Sequence, residues 1–191
     1  MSVFQKRKLT SGEKALTEPQ FKRLMDYITD FEEKVLIEVA VYVGIRRSDV
    51  VALEVKNINL EKQTLTFFEK KKDRIRTIPI PQHLAADFQM LIKVNKTKKS
   101  KYLFPGRFNN SEHLSSKTAY NILHKNLKKA GLPLKPFHAL RATCIKLYQK
   151  KGWSVEQTAK LIGDTVAVVQ QHYATPSDEE LAEVMAEKPI T

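Results

Sequence analysis

The sequence TLTFFEKKKDRIRTIPI, residues 64–80, stands out in a chain whose patterning is otherwise helical. Residues 64–68 are strand formers, and residues 74–80 alternate polar with apolar side chains, as half-buried strands do. The charged segment between them, residues 70–73, is typical of a turn. We therefore predict an antiparallel hairpin, with residues 58–60 as a candidate third strand.

Helical periodicity covers the sequence on both sides of this hairpin. Residues 17–20 combine a threonine cap, a first-turn proline and a glutamine three residues after the cap, which is typical of a helix start. Further helices are predicted at residues 31–43, from 48, at 84–94, 115–130, 137–151, 154–162 and 166–174, and after 176. A lysine-rich loop is predicted between residues 93 and 101. The predicted fold class is mainly α with a small antiparallel β-sheet (α+β).

The composition indicates a globular chain with an anionic partner. The 191 residues include 33 Lys and Arg against 21 Asp and Glu, a formal net charge of +12, and 42% of them are hydrophobic. This content excludes a wholly disordered chain, and the length favours one domain. A positive excess attracts polyanions, of which nucleic acid is the commonest inside cells. On charge alone, DNA binding and RNA association both remain open.

Membrane and cofactor functions find no support in the sequence. The longest apolar run, residues 35–43, contains Glu38, whereas a membrane span needs about 20 apolar residues. The basic N-terminus lacks the apolar stretch of a signal peptide. The single cysteine, Cys144, offers neither an internal disulfide nor a metal cluster. We expect a soluble intracellular protein with no metal, no other cofactor and no small-molecule substrate.

The sequence GIRRSD, residues 44–49, sets an arginine between the end of one helix and the start of the next. There Arg46 can meet a phosphate together with the free N–H groups of the new helix. In the alternative, Arg46 caps helix carbonyls or pairs with Asp49. This segment alone favours the alternative.

Two further segments carry residue types that suit phosphate chemistry. His138 and Arg141 lie three residues apart and share a helix face. Because Leu140 and Cys144 mark a different face as the core face, neither His138 nor Arg141 is needed for packing; a surface pair is the alternative. Tyr173 lies near the end of a short helix, where burial in the core is the commoner role for a lone tyrosine.

In order and spacing, these segments resemble the catalytic domain of the tyrosine recombinases, the phage integrase family. The order is GIRRSD, a lysine hairpin ending in RTIPI, His-Ala-Leu-Arg, and Leu-Ile-Gly-Asp nine residues before a tyrosine. The resemblance spans about residues 16–176. It implies a catalytic domain at residues 13–176, a basic lead-in or linker at 1–12, and a C-terminal helix at 177–191.

The resemblance assigns roles in DNA cleavage and rejoining without metal or ATP. Arg46 and Arg141 would clamp the scissile phosphate, and His138 would add a hydrogen bond. Tyr173 would attack phosphorus and form a 3′-phosphotyrosyl link, which keeps the bond energy for rejoining. Asp49 matches an acidic residue that supports the site structurally.

Lysines complete the implied site. Lys71 matches the family's hairpin lysine, which protonates the leaving 5′ oxygen. Because lysines also occupy positions 70 and 72, the alignment could shift by one residue to Lys70 or Lys72. The lysines expected to contact DNA backbone phosphates are Lys70, Lys72, Lys96, Lys98 and Lys99. Such contacts position a protein on DNA without reading its sequence.

Asp164 departs from the family pattern, which has His or Trp at this position. A carboxylate beside a phosphodiester repels it unless the carboxylate is protonated or turned toward a cation. Asp164 therefore either opposes cleavage, or pairs with Arg46, Arg47 or a lysine and orders the site.

The implied partner is double-stranded DNA, bound by a homotetramer because strand exchange needs several active sites. The C-terminal helix, with its Leu181, Val184 and Met185 stripe, reaches a neighbouring subunit or packs on its own domain. The resemblance also implies a helical DNA-clamping domain ahead of the motifs; the given sequence leaves no room for it, so we expect either a fragment or a minimal form. A cytoplasmic, nucleoid-associated location follows. A non-cleaving DNA-binding protein and a basic RNA-associated protein remain the alternative functions.

Overall fold

The computed structural model describes residues 10–109 and 111–188, except for the side chains of residues 95–98. The helices are α1 (Glu18–Tyr27), α2 (Phe31–Tyr42), α3 (Arg47–Val51), α4 (Gln82–Lys98), α5 (Ser116–Lys129), α6 (His138–Lys150), α7 (Val155–Ile162), α8 (Val166–Tyr173) and α9 (Asp178–Glu187). The strands are β1 (Ile58–Asn59), β2 (Thr64–Glu69) and β3 (Arg74–Pro79). The α+β prediction is confirmed.

The hairpin and its third strand form as the sequence predicted. The sheet is antiparallel in the order β1-β2-β3, and the β2–β3 register pairs Leu65 with Ile78 and Glu69 with Arg74. The tip is a 3-10 turn over Lys70–Lys72, closed by Asp73 at a left-handed φ of 47°. Because aspartate tolerates this conformation better than most residues, the charged tip makes a tight turn.

Local capping chemistry explains where several helices begin. The Thr17 side chain accepts a hydrogen bond from the Gln20 backbone N–H, and the Gln20 side chain accepts one from the Thr17 N–H, which is the predicted capping box. Ser154 and Ser177 cap α7 and α9 in the same manner. These caps satisfy backbone donors that helix starts otherwise leave unpaired.

The predicted lysine-rich loop is wrong for most of its length. Helix α4 continues to Lys98 and stops only at Lys99, which has a left-handed φ of 52°. Lysine is a good helix former, and no glycine or proline interrupts this segment, so the helix continues through it. The Lys96 and Lys98 side chains lie outside the described part of the chain.

The core has two parts that meet beside the GIRRSD segment. The larger part packs the sheet with α1 to α5, and the smaller part packs α6, α7 and α8. Helix α2 is buried along most of its length and ends at Tyr42, two residues before Gly44, whose φ is +64°. A Cβ atom on Gly44 would lie 2.7 Å from the Cys144 sulfur and 2.8 Å from Ile162, so only glycine permits this close packing.

This packing brings four distant segments to one place. They are the end of α2, the hairpin tip, the start of α6 and the turn between α7 and α8. Among the residues that the structure describes, no helix is long and apolar enough to cross a bilayer.

Candidate functional site

Arg46 lies at the junction between α2 and α3, as its sequence context predicted. Its backbone carbonyl accepts the first hydrogen bonds of α3, from the N–H groups of Asp49 and Val50. Its guanidinium turns away from Asp49: Nη1 donates to Glu69, and Nη2 lies 3.5 Å from Asp164. The alternative in which Arg46 pairs with Asp49 is therefore wrong.

Asp49 is buried beneath this junction rather than exposed to a ligand. It is 4% exposed and accepts a hydrogen bond from the Ser48 hydroxyl at 3.2 Å. Burial raises the pKa of Asp49, and the Ser48 hydrogen bond only partly opposes that effect. This environment fits the structural support that the resemblance implies.

Arg141 is buried, which corrects the prediction that it is not needed for packing. Only 2% of the residue is exposed. Its Nη1 donates to the carbonyls of Gly44 at 2.5 Å and Ile162 at 2.9 Å, and its Nη2 donates to Asp164 at 2.5 Å. One guanidinium thus joins the end of α2, the end of α7 and the following turn.

His138 and Tyr173 form a direct pair. The Tyr173 hydroxyl lies 3.0 Å from His138 Nε2, although the two residues are on different helices. Although His138 as a residue is exposed, loss of hydration against the surrounding protein lowers its pKa to about 4, and the charges of Arg141 and Arg46 add to this effect. At neutral pH, the imidazole is therefore uncharged and can share a proton with the phenol.

Tyr173 itself belongs to the smaller core part. It is 4% exposed and packs with the apolar residues of α6 and α7. The core role considered for a lone tyrosine is thus correct for the ring, while the hydroxyl faces His138. A buried ring with a hydrogen-bonded hydroxyl fixes the position of the phenol oxygen.

Asp164 is the centre of an ion-pair cluster. Its Oδ1 lies 2.7 Å from Lys72 Nζ and 3.5 Å from Arg46 Nη2, and its Oδ2 accepts from Arg141. Burial raises its pKa, but the hydrogen bonds from Lys72 and Arg141 outweigh burial and lower the pKa to about 2. The pairing alternative for Asp164 is therefore the observed one, with Arg141 as an additional partner.

The hairpin lysines divide into two groups. Lys72 enters the cluster, where its Nζ also donates to the Gly163 carbonyl at 2.5 Å. Lys70 and Lys71 are exposed at the tip, and Lys99 is exposed at the end of α4. The structure thus places Lys72, rather than Lys71, next to the two arginines.

The sequence analysis missed three residues of this cluster. Glu69 is 1% exposed and contacts Arg46, Arg74 and Arg76. Arg76 donates to the last carbonyls of α7, and Arg74 donates to the Gly163 carbonyl. An acidic residue at an inward-facing strand position, with arginines on the paired strand, was the pattern that could have revealed them.

An open pocket of about 380 Å³ lies against the arginines. Arg46, Arg47, His138 and Arg141 line it together with Tyr120 and other residues of α3, α5 and α6. Within the described ranges, no group of three or more His, Cys, Asp or Glu side chains is arranged to hold a metal ion. The pocket suits an anion that is bound by guanidinium groups.

We expect Asp164→Asn to lower the melting temperature at pH 7 and to lose most of that difference on acidification. The pKa of Asp164 is about 2, against an ordinary 3.8. The charged carboxylate therefore contributes about 2 kcal/mol above about pH 4, and this contribution disappears as the pH falls through about 2. For a chain of this size, it corresponds to a shift of about 4–8 °C.

The measurement is the difference in melting temperature between wild type and Asp164→Asn at a series of pH values. Taking the difference removes the acid sensitivity that other carboxylates give to both proteins. A difference that stays constant from pH 7 to pH 2 would contradict the ion-pair assignment for Asp164.

The sequence matches known proteins along most of its length. The model of the Phage integrase family matches residues 14–180. Tyrosine recombinase XerA of Pyrococcus furiosus is 31% identical over 175 residues, which cover 90% of this chain and 60% of that protein. XerA of Saccharolobus solfataricus is 27% identical over 150 residues, which cover 78% of this chain and 48% of that protein. The chain spans about three fifths of the length of the first of these relatives.

Solved structures share the fold at lower sequence identity. A crystal structure of XerA recombinase gives a TM-score of 0.79 at 18% identity, covering this whole chain and 66% of that one. XerH site-specific recombinase bound to its difH substrate gives a TM-score of 0.74 at 17% identity, and the match covers 97% of this chain and 57% of that one. A lambda integrase tetramer bound to a Holliday junction gives a TM-score of 0.65 at 20% identity, and the match covers 86% of this chain and 48% of that one. The family match, the relatives and the fold agree with the ordered motifs, and the chain belongs to the phage integrase family.

Proposed function

We propose that this chain is the catalytic part of a tyrosine-type site-specific recombinase, which cleaves and rejoins double-stranded DNA through a 3′-phosphotyrosyl intermediate. The observation that carries the proposal is the Tyr173 hydroxyl, which lies 3.0 Å from Nε2 of His138, a residue that lines the same pocket as Arg46 and Arg141. Metal and ATP have no part in this reaction, because guanidinium groups can neutralise the phosphate.

The charge of the cluster suits the transition state of phosphoryl transfer. Lys72 and four arginines face two carboxylates, which leaves an excess of three positive charges. A pentacoordinate phosphorus carries more negative charge than the phosphodiester, so such a preorganised excess stabilises it more than the ground state. In our proposal, Arg46 and Arg141 bind the non-bridging oxygens.

Tyr173 is the proposed nucleophile and His138 its proton partner. A phenol has an ordinary pKa of about 10, so it needs help to lose its proton at neutral pH. The lowered pKa of His138 keeps Nε2 able to accept a hydrogen bond from the phenol as it attacks phosphorus.

The leaving 5′ oxygen needs a proton, for which the hairpin tip supplies ammonium groups. Asp164 and the Gly163 carbonyl hold Lys72, and these contacts order the base of the tip. Lys71, exposed one residue earlier, is the proposed proton donor. Lys70 and Lys99 are proposed contacts to backbone phosphates, as are Lys96 and Lys98 on sequence grounds.

Asp164 is proposed to order the arginines rather than to oppose the phosphate. It accepts a hydrogen bond from the buried Arg141, whose guanidinium also donates to the Gly44 and Ile162 carbonyls. We therefore expect Asp164→Asn to slow cleavage as well as to destabilise the fold. A faster rate in this variant would instead support repulsion between the carboxylate and the phosphate.

A homotetramer on DNA is the proposed assembly, with α9 exchanged between neighbouring subunits. No described residue of α9 is buried, and Leu181, Val184 and Met185 are 49%, 54% and 73% exposed. Its contacts to its own domain include polar pairs such as Lys146 with Glu180 at 3.0 Å. An apolar stripe left uncovered on a helix is suited to a protein partner.

The proposed function is tested by trapping the covalent intermediate. Incubation with a duplex nicked next to the cleavage position lets the short leaving strand diffuse away, so a protein–DNA adduct accumulates. A pool of nicked duplexes with randomised flanks samples many target sites, and adducts are read on denaturing gels. Binding without any adduct would favour the non-cleaving DNA-binding alternative, and preferential binding of RNA the RNA-associated one.

A further inference from the structure

We propose that Glu69 is a positioning residue for the reaction, which sets the orientation of Arg46 and ties it to the base of the hairpin. This inference rests on the proposed function, because it assigns to Arg46 a role on the scissile phosphate. It concerns a residue outside the ordered motifs, at the end of β2.

Both oxygens of the Glu69 carboxylate are used. Oε1 accepts from Arg46 Nη1, and Oε2 accepts from Arg74 Nε at 2.8 Å and lies 3.9 Å from Arg76 Nη1. With Nη1 held by Glu69, the other terminal nitrogen of Arg46 is directed to the side where Asp164 lies. A carboxylate that fixes one edge of a planar guanidinium also fixes the direction of the remaining donors.

Burial makes this contact more restrictive than a surface ion pair. The Glu69 side chain is 1% exposed, against 19% for Arg46. Burial disfavours the charged form of Glu69, but the hydrogen bonds from Arg74 and Arg46 outweigh it and lower the pKa of the carboxyl. Glu69 therefore stays charged at neutral pH and keeps its hold on Arg46.

Glu69 also connects Arg46 to the turn that carries Asp164. Arg76, one of its partners, donates to the carbonyls of Lys160 and Leu161 at the end of α7. Arg74, another arginine that contacts Glu69, donates to the Gly163 carbonyl at 3.0 Å. Through these contacts, the hairpin, Arg46 and the turn before α8 share one buried carboxylate. Glu69 can thus set the distance between the two arginines that the proposal assigns to the phosphate.

The experiment is a double-mutant cycle on adduct formation. Single-turnover rates are measured for wild type, Glu69→Gln, Arg46→Ala and the double variant on a nicked duplex. A misplacement of about 1 Å can cost about 10²-fold in rate, so we expect a loss of that size in Glu69→Gln. Because Glu69 acts through Arg46, the same change in the Arg46→Ala background is expected to cost less than about threefold.

Controls separate positioning from general stability. Glu33 is a second buried carboxylate, in the first turn of α2, where Lys125 and Asn126 donate to it, and Glu33→Gln is expected to lower the melting temperature without changing the cleavage rate. If Glu69→Gln is unfolded at the assay temperature, Glu69→Asp replaces it in the cycle; it keeps the charge, and we expect a loss of about 10-fold.

The outcomes distinguish this inference from the proposed function. Equal losses from the Glu69 change in both backgrounds would mean general support of the fold and overturn the positioning role. A full rate in Glu69→Gln would overturn it as well. If even the wild-type protein forms no adduct, the proposed function and this inference are overturned together. If the wild-type protein forms the adduct but the rate losses from Glu69→Gln and Arg46→Ala are additive, only this inference is overturned.

Discussion

Replacing Tyr173 with phenylalanine is expected to abolish the covalent protein–DNA adduct and to leave DNA affinity within about threefold of wild type. The hydroxyl is the only atom removed, and phosphoryl transfer to the protein has no acceptor without it. The ring stays in the smaller core part, so the fold is retained. The lost hydrogen bond to His138 costs about 1 kcal/mol, equivalent to about 2–4 °C in melting temperature.

A matched control comes from Tyr148 of α6. The Tyr148 hydroxyl donates to the Tyr42 carbonyl at 2.9 Å, so Tyr148→Phe also removes one hydroxyl and one hydrogen bond. This variant is expected to lose similar stability and to keep the adduct. An adduct of wild-type yield in Tyr173→Phe would assign the nucleophile to a different residue.

The hairpin was predicted correctly because its sequence signals are local. Strand periodicity, a charged tip and flanking helices are all encoded in neighbouring residues, and the observed register agrees with them. The end of α4 was misplaced because a run of lysines is compatible with both an exposed helix and a loop. Only a strong breaker such as glycine or proline would have made the sequence decisive there.

The sequence allowed a list of candidate site residues, but it did not predict the hydrogen bonds and ion pairs that join them. Arg46, His138 and Tyr173 were assigned to the site through the ordered spacing that resembles the family, because the local context of each also fits a structural or surface role. The contacts of the buried Arg141 involve Gly44 and Ile162, which come from distant segments of the chain, and no helical pattern contains that information. A buried ion cluster is a property of the assembled core, which is why its carboxylates were either missed or left with two interpretations.

Arg141→Ala is expected to show the second large effect, a loss of cleavage by about 10²–10³-fold together with lower stability. The guanidinium supplies the donors for the carbonyls of Gly44 and Ile162 and a counter-charge for Asp164. Breaking a buried pair costs about 3–5 kcal/mol, so the melting temperature is expected to fall on the order of 10 °C. Rates are therefore compared at a temperature at which circular dichroism shows the variant to be folded.

Arg141→Lys separates the two effects because it keeps the charge and loses the planar guanidinium. An ammonium group can stay paired with Asp164 but cannot reach both carbonyls and a phosphate in one plane, so stability is expected to recover more than cleavage does. Arg23→Ala is the matched control, since Arg23 donates to the Ala130 carbonyl at the end of α5 and takes no part in the contacts of Arg141. It is expected to cleave at the wild-type rate. Wild-type cleavage in folded Arg141→Ala would remove this arginine from the proposed phosphate clamp and reduce it to a structural link between α2, α6 and α7.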